Sequence, residues 1–184
     1  GFLYKNDGVS LIATGEYITK AEGLAGLKFT PNADANDGNT ASFGFSAQAA
    51  TSAADADLQG SAVTVTVTVN PVADLPSVTN ATTVPDTQTT SGLVIAINAV
   101  DGKEVTHFKI SNILNGTLFQ NDGTTAISNG SFITVAEGGA GLKFTPTSGF
   151  TGTATFDIQA AVDNAGTGLS GTAQAAIAVA HPAP

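Results

Sequence analysis

The sequence predicts an all-β protein: two similar Greek-key β-sandwich modules in series, the first N-terminally incomplete. Three observations carry this. Short runs of alternating apolar and polar residues, such as AVTVTVTV, are separated by turn chemistry in NDG, SNG, TSGFTG and NAGTG, and no segment carries a helical stripe. The hexapeptide GLKFTP occurs at 26–31 and again at 141–146. The match around it extends over most of the chain with a period of about 110 residues, too long for a solenoid and suited to a string of small domains.

The elements follow in chain order. Aligning Asp7 with Asp122 places LYKNDG on LFQNDG, EYITKAEG on SFITVAEG and GLKFTP on GLKFTP. TASFGF falls on TATFDI after a short slip. Residues 1–70 therefore read as a partial module that lacks the counterpart of 77–115. In it, NDG is a hairpin turn with Gly8 at positive φ. AVTVTVTV puts Val63, Val65, Val67 and Val69 on one face and Thr64, Thr66 and Thr68 on the other. Residues 71–76 are a linker, and 77–184 are a complete module. Within it, LVIAINAV (93–100) and VTHFKIS (105–111) read as strands, the latter with Phe108 and Ile110 on one side and His107 and Lys109 on the other. GLKF turns Leu142 and Phe144 inward and Lys143 outward, and Pro146 ends that strand. TATFDIQAAV (153–162) puts Phe156 and Ile158 on a common face. AEGLAG and AEGGAG allow one helical turn each. About seven short strands in such a module suit an immunoglobulin-like topology.

Composition narrows the function. The 184 residues are 42% hydrophobic and 11% charged, with net charge −9, six Lys and no Arg. A chain without a basic run has little with which to neutralise phosphates, so nucleic acid and acidic membrane surfaces are disfavoured as partners. Cys is absent, which removes disulfides and thiolate metal sites. No stretch approaches the ~20 apolar residues of a membrane-spanning helix. No GxSxG, HExxH or phosphate loop occurs, and His107 and His181 form no pair, so the chain is expected not to be an enzyme. A carbohydrate-binding sandwich is disfavoured by the absence of Trp. Tyr4 and Tyr17, which match Phe119 and Phe132, read as core or near-core positions.

Several stretches together carry a resemblance: VTVTVNPVADLPSVT, DTQTTSGLVI, NGTLFQNDG, ITVAEGGAGLKFTP and GTATFDIQAAVD. They resemble the cadherin-like, Ig-like tandem repeats of giant bacterial surface adhesins, the RTX-type and VCBS-like proteins. The resemblance implies a secreted or cell-surface stalk, stiffened by calcium between domains, whose partners are the neighbouring repeats. It also leaves self-association into a filament or surface layer open.

The acidic residues suit that implication. Ca²⁺ takes six to eight oxygen ligands, several from carboxylates. In an Ig-like module the start of strand A, the B–C loop and the F–G loop meet at one pole. Asp86 (VPDTQ), Asp101 and Glu104 (AVDGKEV) and Asp163 (VDNAG) fall in those segments, and Asp74 lies in the linker. These five are expected to gather at the junction, where like charges ~4 Å apart repel by roughly 1 kcal/mol per pair in water. Asp55 and Asp57 (AADADLQG) occupy the position of Asp163 in the partial module and would belong to an incomplete far-pole site. The resembled repeats often carry an acid just before the strand-A Asp, where this chain has Pro85, and Lys103 adds a positive charge within DGKE, so both departures lessen the negative charge of the junction set. The alternative for all seven is ordinary solvated loop acids.

Overall fold

The computed structural model describes residues 1–36, 38, 43–54 and 57–181. It is predominantly β, and the chain divides into two compact units, Gly1–Asn70 and Pro71–Pro184.

The first unit holds β1 (Phe2–Tyr4), β2 (Leu11–Ile12), the one-turn helix α1 (Lys20–Leu24), β3 (Lys28–Thr30), β4 (Phe43–Ala50) and β5 (Leu58–Val67). β1 is the centre of a three-stranded antiparallel sheet, with β2 on one side and β3 on the other. The β1–β2 turn closes because Gly8 takes φ 72° and Asp7 Oδ1 accepts from the amides of Val9 and Ser10. β4 and β5 form a two-stranded antiparallel sheet, with Phe43 opposite Val67, Phe45 opposite Val65 and Ala47 opposite Val63. Along the shared valine face, Val63 (66%) and Val65 (39%) are exposed and Val67 and Val69 are half-buried.

The second unit contains β6 (Ser77–Val78), β7 (Ala81–Thr83), β8 (Ile95–Ala96), β9 (His107–Leu114), β10 (Gly116–Phe119), β11 (Ala126–Ile127), β12 (Phe132–Thr134), α2 (Val135–Gly139), β13 (Lys143–Pro146), β14 (Gly152–Ala161) and β15 (Ala173–Val179). One sheet has the order β12-β9-β14-β15-β7, antiparallel except for the parallel β15–β7 pair. A second has the order β11-β10-β13, and β6 pairs with β8. Phe108, Ile110, Phe156, Ile158 and Ile177 from the first sheet share one core with Leu118 and Phe144 from the second and Ile95 from β8. The alternation of β9 and β13 follows the expected faces, since Phe108, Ile110, Leu142 and Phe144 are all fully buried. The expected strand at 93–100 shrinks to Ile95–Ala96. Leu93 sits at φ 54°, and Asn98 Oδ1 accepts from the amide of Val100, which turns the chain away from the ladder.

The repeat is preserved in local chemistry. Thr19 with Glu22, and Thr134 with Glu137, each form a capping box at the start of their helical turn. Glu22 accepts from Lys5 Nζ at 2.7 Å, and its counterpart Glu137 accepts from Gln120 Nε2 at 2.9 Å. The same tie between β-turn and helix is thus made by an ion pair in one unit and by an amide in the other.

Candidate metal centre

The C-terminal end of β14 carries the acidic residues of interest. β9 leaves this end opposite it, since His107 pairs with Ala161 and Thr106 N donates to Ala161 O. The loop before β9 holds Asp101 and Glu104, and the loop after β14 holds Asp163. The linker is laid against both loops: Ala73 N donates to Gly168 O at 2.9 Å, and Asp74 N donates to Asp101 Oδ1 at 3.0 Å. Gly168 is required here. It takes φ +58°, and a Cβ would lie 2.5 Å from Pro71 O.

Asp101 is the most unusual of these groups. It is 8% exposed, and its Oδ2 is buried without a hydrogen-bond partner. Burial holds its pKa above the ordinary carboxylate value, and the charges of Asp74 and Glu104 push the same way, partly offset by the amides of Asp74 and Asn98. Glu104 is buried as well, with its carboxylate folded over Gly102. Asp163 lies at the same end but is engaged in its own turn, where Oδ1 accepts from Ala165 N and Thr167 N at 2.9 Å each. These bonds, with that of Thr167 N the largest cause, lower its pKa.

Asp86 does not join them. β7 runs parallel to β15, and Thr83 pairs with Val179, which in turn pairs with Gly152 at the start of β14. By residue 83 the chain has already crossed the unit. Asp86, at φ 59°, accepts from Gly149 N at 3.0 Å there. Nine strand steps at ~3.3 Å put roughly 30 Å between the two ends. The sequence expectation began strand A at Asp86, whereas the chain enters the fold at Ser77. In the first unit, Asp57 lies in the β4–β5 connection, as Asp163 lies in the β14–β15 connection, and accepts from Ser52 Oγ. Asp55 lies outside the described residues.

Asp74, Asp101 and Glu104 thus form a cluster at one end. Among the described residues, no three His, Asp or Glu side chains are close enough as they stand to hold a metal ion. A buried carboxylate oxygen without a donor, flanked by two further carboxylates, nevertheless fits a hard cation better than it fits an apolar interior. Sequence reasoning named these acids but missed Asn98, whose carbonyl accepts from Asp101 N, and Gly168, which seats the linker. The signals available were an Asn three residues before the Asp and a second Gly within NAGTG.

No family model, curated protein or solved structure matches the chain. Among the described residues, no helix is long and apolar enough to cross a membrane.

Proposed function

We propose that the chain is a non-catalytic spacer segment of an exported bacterial surface protein of the adhesin type. Its modules are cadherin-like, Ig-like sandwiches joined in series, and a bound calcium ion fastens the linker to the second of them. The observation that carries the spacer reading is the repeat itself, together with a linker that is hydrogen-bonded to the loops of the module it enters rather than running free. The mixed sheet order and the shared two-sheet core support the sandwich assignment.

Asp101 Oδ2 would be the central ligand, with Asp74 and Glu104 as the adjoining carboxylates. The ion supplies positive charge that converts their mutual repulsion into attraction. The linker's own Asp74 then has a reason to stay beside Asp101 beyond one backbone hydrogen bond. Asp163 already has donors for one oxygen and is a secondary ligand.

The test is mechanical. Pulled by its ends in single-molecule force spectroscopy, the chain should show unit 71–184 as one discrete unfolding event, at a higher force in calcium than in chelator. Yielding at low force without a discrete event would overturn the spacer role. An event insensitive to calcium would remove the ion and leave the spacer.

A further inference from the structure

We propose that residues 77–83 are the load-bearing element of unit 71–184: a rivet across its two layers that sets the force at which the unit opens along the chain. The inference deepens the spacer reading, since a spacer carries tension, and it involves no bound ion.

The segment changes partners halfway along. Before Asn80 it pairs with β8, Ser77 opposite Ala96 and Val78 opposite Ile95. Thr79 continues that hold: its N donates to Val94 O, its carbonyl accepts from Leu93 N, and its Oγ1 accepts from Val94 N at 2.9 Å. This stretch belongs with the β13 sheet, because Leu142 N donates to Leu93 O. After Asn80 the segment becomes β7 and joins the other sheet, parallel to β15, with Ala81 opposite Ile177 and Thr83 opposite Val179. Ala180 N donates to Thr83 O just beyond. Asn80 lies between the two ladders and supplies its side chain instead: Oδ1 accepts from Ala176 N at 2.9 Å. The crossing is close, since a Cβ on Gly92 would lie 2.5 Å from Asn80 O.

Chain direction makes this segment resist tension. β7 and β15 point the same way, so a pull through the linker draws β7 toward one end of the unit, and a pull beyond Val179 draws β15 toward the other. The bonds between the two strands run across the pull and are loaded together rather than one at a time. Two sliding routes exist. Withdrawing β15 must also break its pairing with β14, which extends from Gly152 opposite Val179 to Ile158 opposite Ala173. Withdrawing 77–83 breaks only the short ladders with β8 and β15, so this route opens first. Because those ladders are short, the side-chain acceptors of Thr79 and Asn80 supply a large share of the hold.

The experiment pulls the full chain in chelator from two pairs of attachment points. The sequence has no Cys, so introduced cysteines are the sole handles. Val72→Cys with His181→Cys, exposed positions at opposite ends of the β7–β15 pairing, load it in shear. Val72→Cys with Thr172→Cys, both at the linker end, peel it. The shear pair should unfold at the higher force. In shear, Asn80→Ala should open about fivefold faster at a given force, since it removes one hydrogen bond that resists the slide. Asn80→Asp, which keeps Oδ1, should open at the parent's rate, and in the peeling geometry Asn80→Ala should leave the rate unchanged. Where the handles sit does not alter what Asn80 holds in the folded unit, so a loss confined to one direction is no general weakening. Equal forces in the two geometries overturn the proposal. So does an Asn80→Ala chain that opens no faster in shear, or that opens equally faster in both geometries. A discrete event insensitive to Asn80 overturns the rivet and leaves the spacer reading standing, whereas the lack of any discrete event overturns both.

Discussion

Replacing Asp101 with Asn separates the cost of a buried charge from the benefit of a cation. The variant keeps an Oδ1 to accept from Asp74 N, removes the negative charge, and puts an N–H2 group where Oδ2 has no donor. The neighbouring carboxylates of Asp74 and Glu104 then act as hydrogen-bond acceptors rather than as repelling charges. A buried polar atom left unpaired costs about 1–3 kcal/mol, and more when charged. In chelator at neutral pH, Asp101→Asn should therefore stabilise the second unit by roughly 1–2 kcal/mol, net of whatever strain the amide introduces. At ~4–8 °C per kcal/mol for a domain near this size, the melting temperature rises by several degrees. With calcium at ~100 times its dissociation constant, the unsubstituted chain gains about 2.7 kcal/mol that the variant largely lacks, so the order of stability reverses.

The proton linkage has a matching sign. Asp101 binds its proton more tightly in the folded state, so its contribution is fully present below its ordinary pKa of 3.8 and is lost as pH rises through the folded value. In chelator the advantage of the Asn variant should therefore grow with pH above that point and vanish below it. Thermal melts by circular dichroism, with and without calcium at several pH values, read all of this. A variant that is less stable than the parent in chelator at neutral pH would refute the buried-charge reasoning.

Other expectations follow from single contacts. Phe156→Ala should cost the second unit about 3–5 kcal/mol, because the ring is fully buried between the sheets, and a thermal melt of the variant reads that loss. Gly168→Ala should free the linker, since the new Cβ collides with Pro71 O and the backbone is left-handed; the Ala73 amide should exchange faster and 71–76 should become protease-sensitive. Asp7 and Asp122 are each held at a pKa of about 2, chiefly by the Ser10 and Thr125 hydroxyls. Their contribution is present above the ordinary 3.8 and lost as pH falls through about 2, and NMR titration of the two carboxyls should show that matched depression.

What the sequence made legible depends on whether one residue's neighbours in the chain decide its surroundings. Alternation placed Phe108, Ile110, Leu142 and Phe144 correctly because a pleated strand fixes which side each faces. It overextended LVIAINAV because the Asn98 side chain competes for the backbone there. It put Asp86 at the wrong end because β7 reads ATT, with no apolar alternation to announce that the chain crosses the unit before reaching Asp86. Asp74, Asp101 and Glu104 were visible as acids, but nothing in their letters says that Asp101 is buried and lacks a donor.

The duplication makes the same point as a controlled comparison. EYIT and SFIT are nearly the same string, and so are TASFGF and TATFDI, yet their outcomes differ. Phe132–Thr134 is a strand and residues 17–19 are not; Phe156 and its counterpart Phe43 are both buried, but Ile158 is sealed while its counterpart Phe45 opens on a groove. In the second unit β9 pairs with both β12 and β14, so each of those stretches has a ladder partner there. A strand is a property of a pair of segments, and a core face is a property of the chain that covers it.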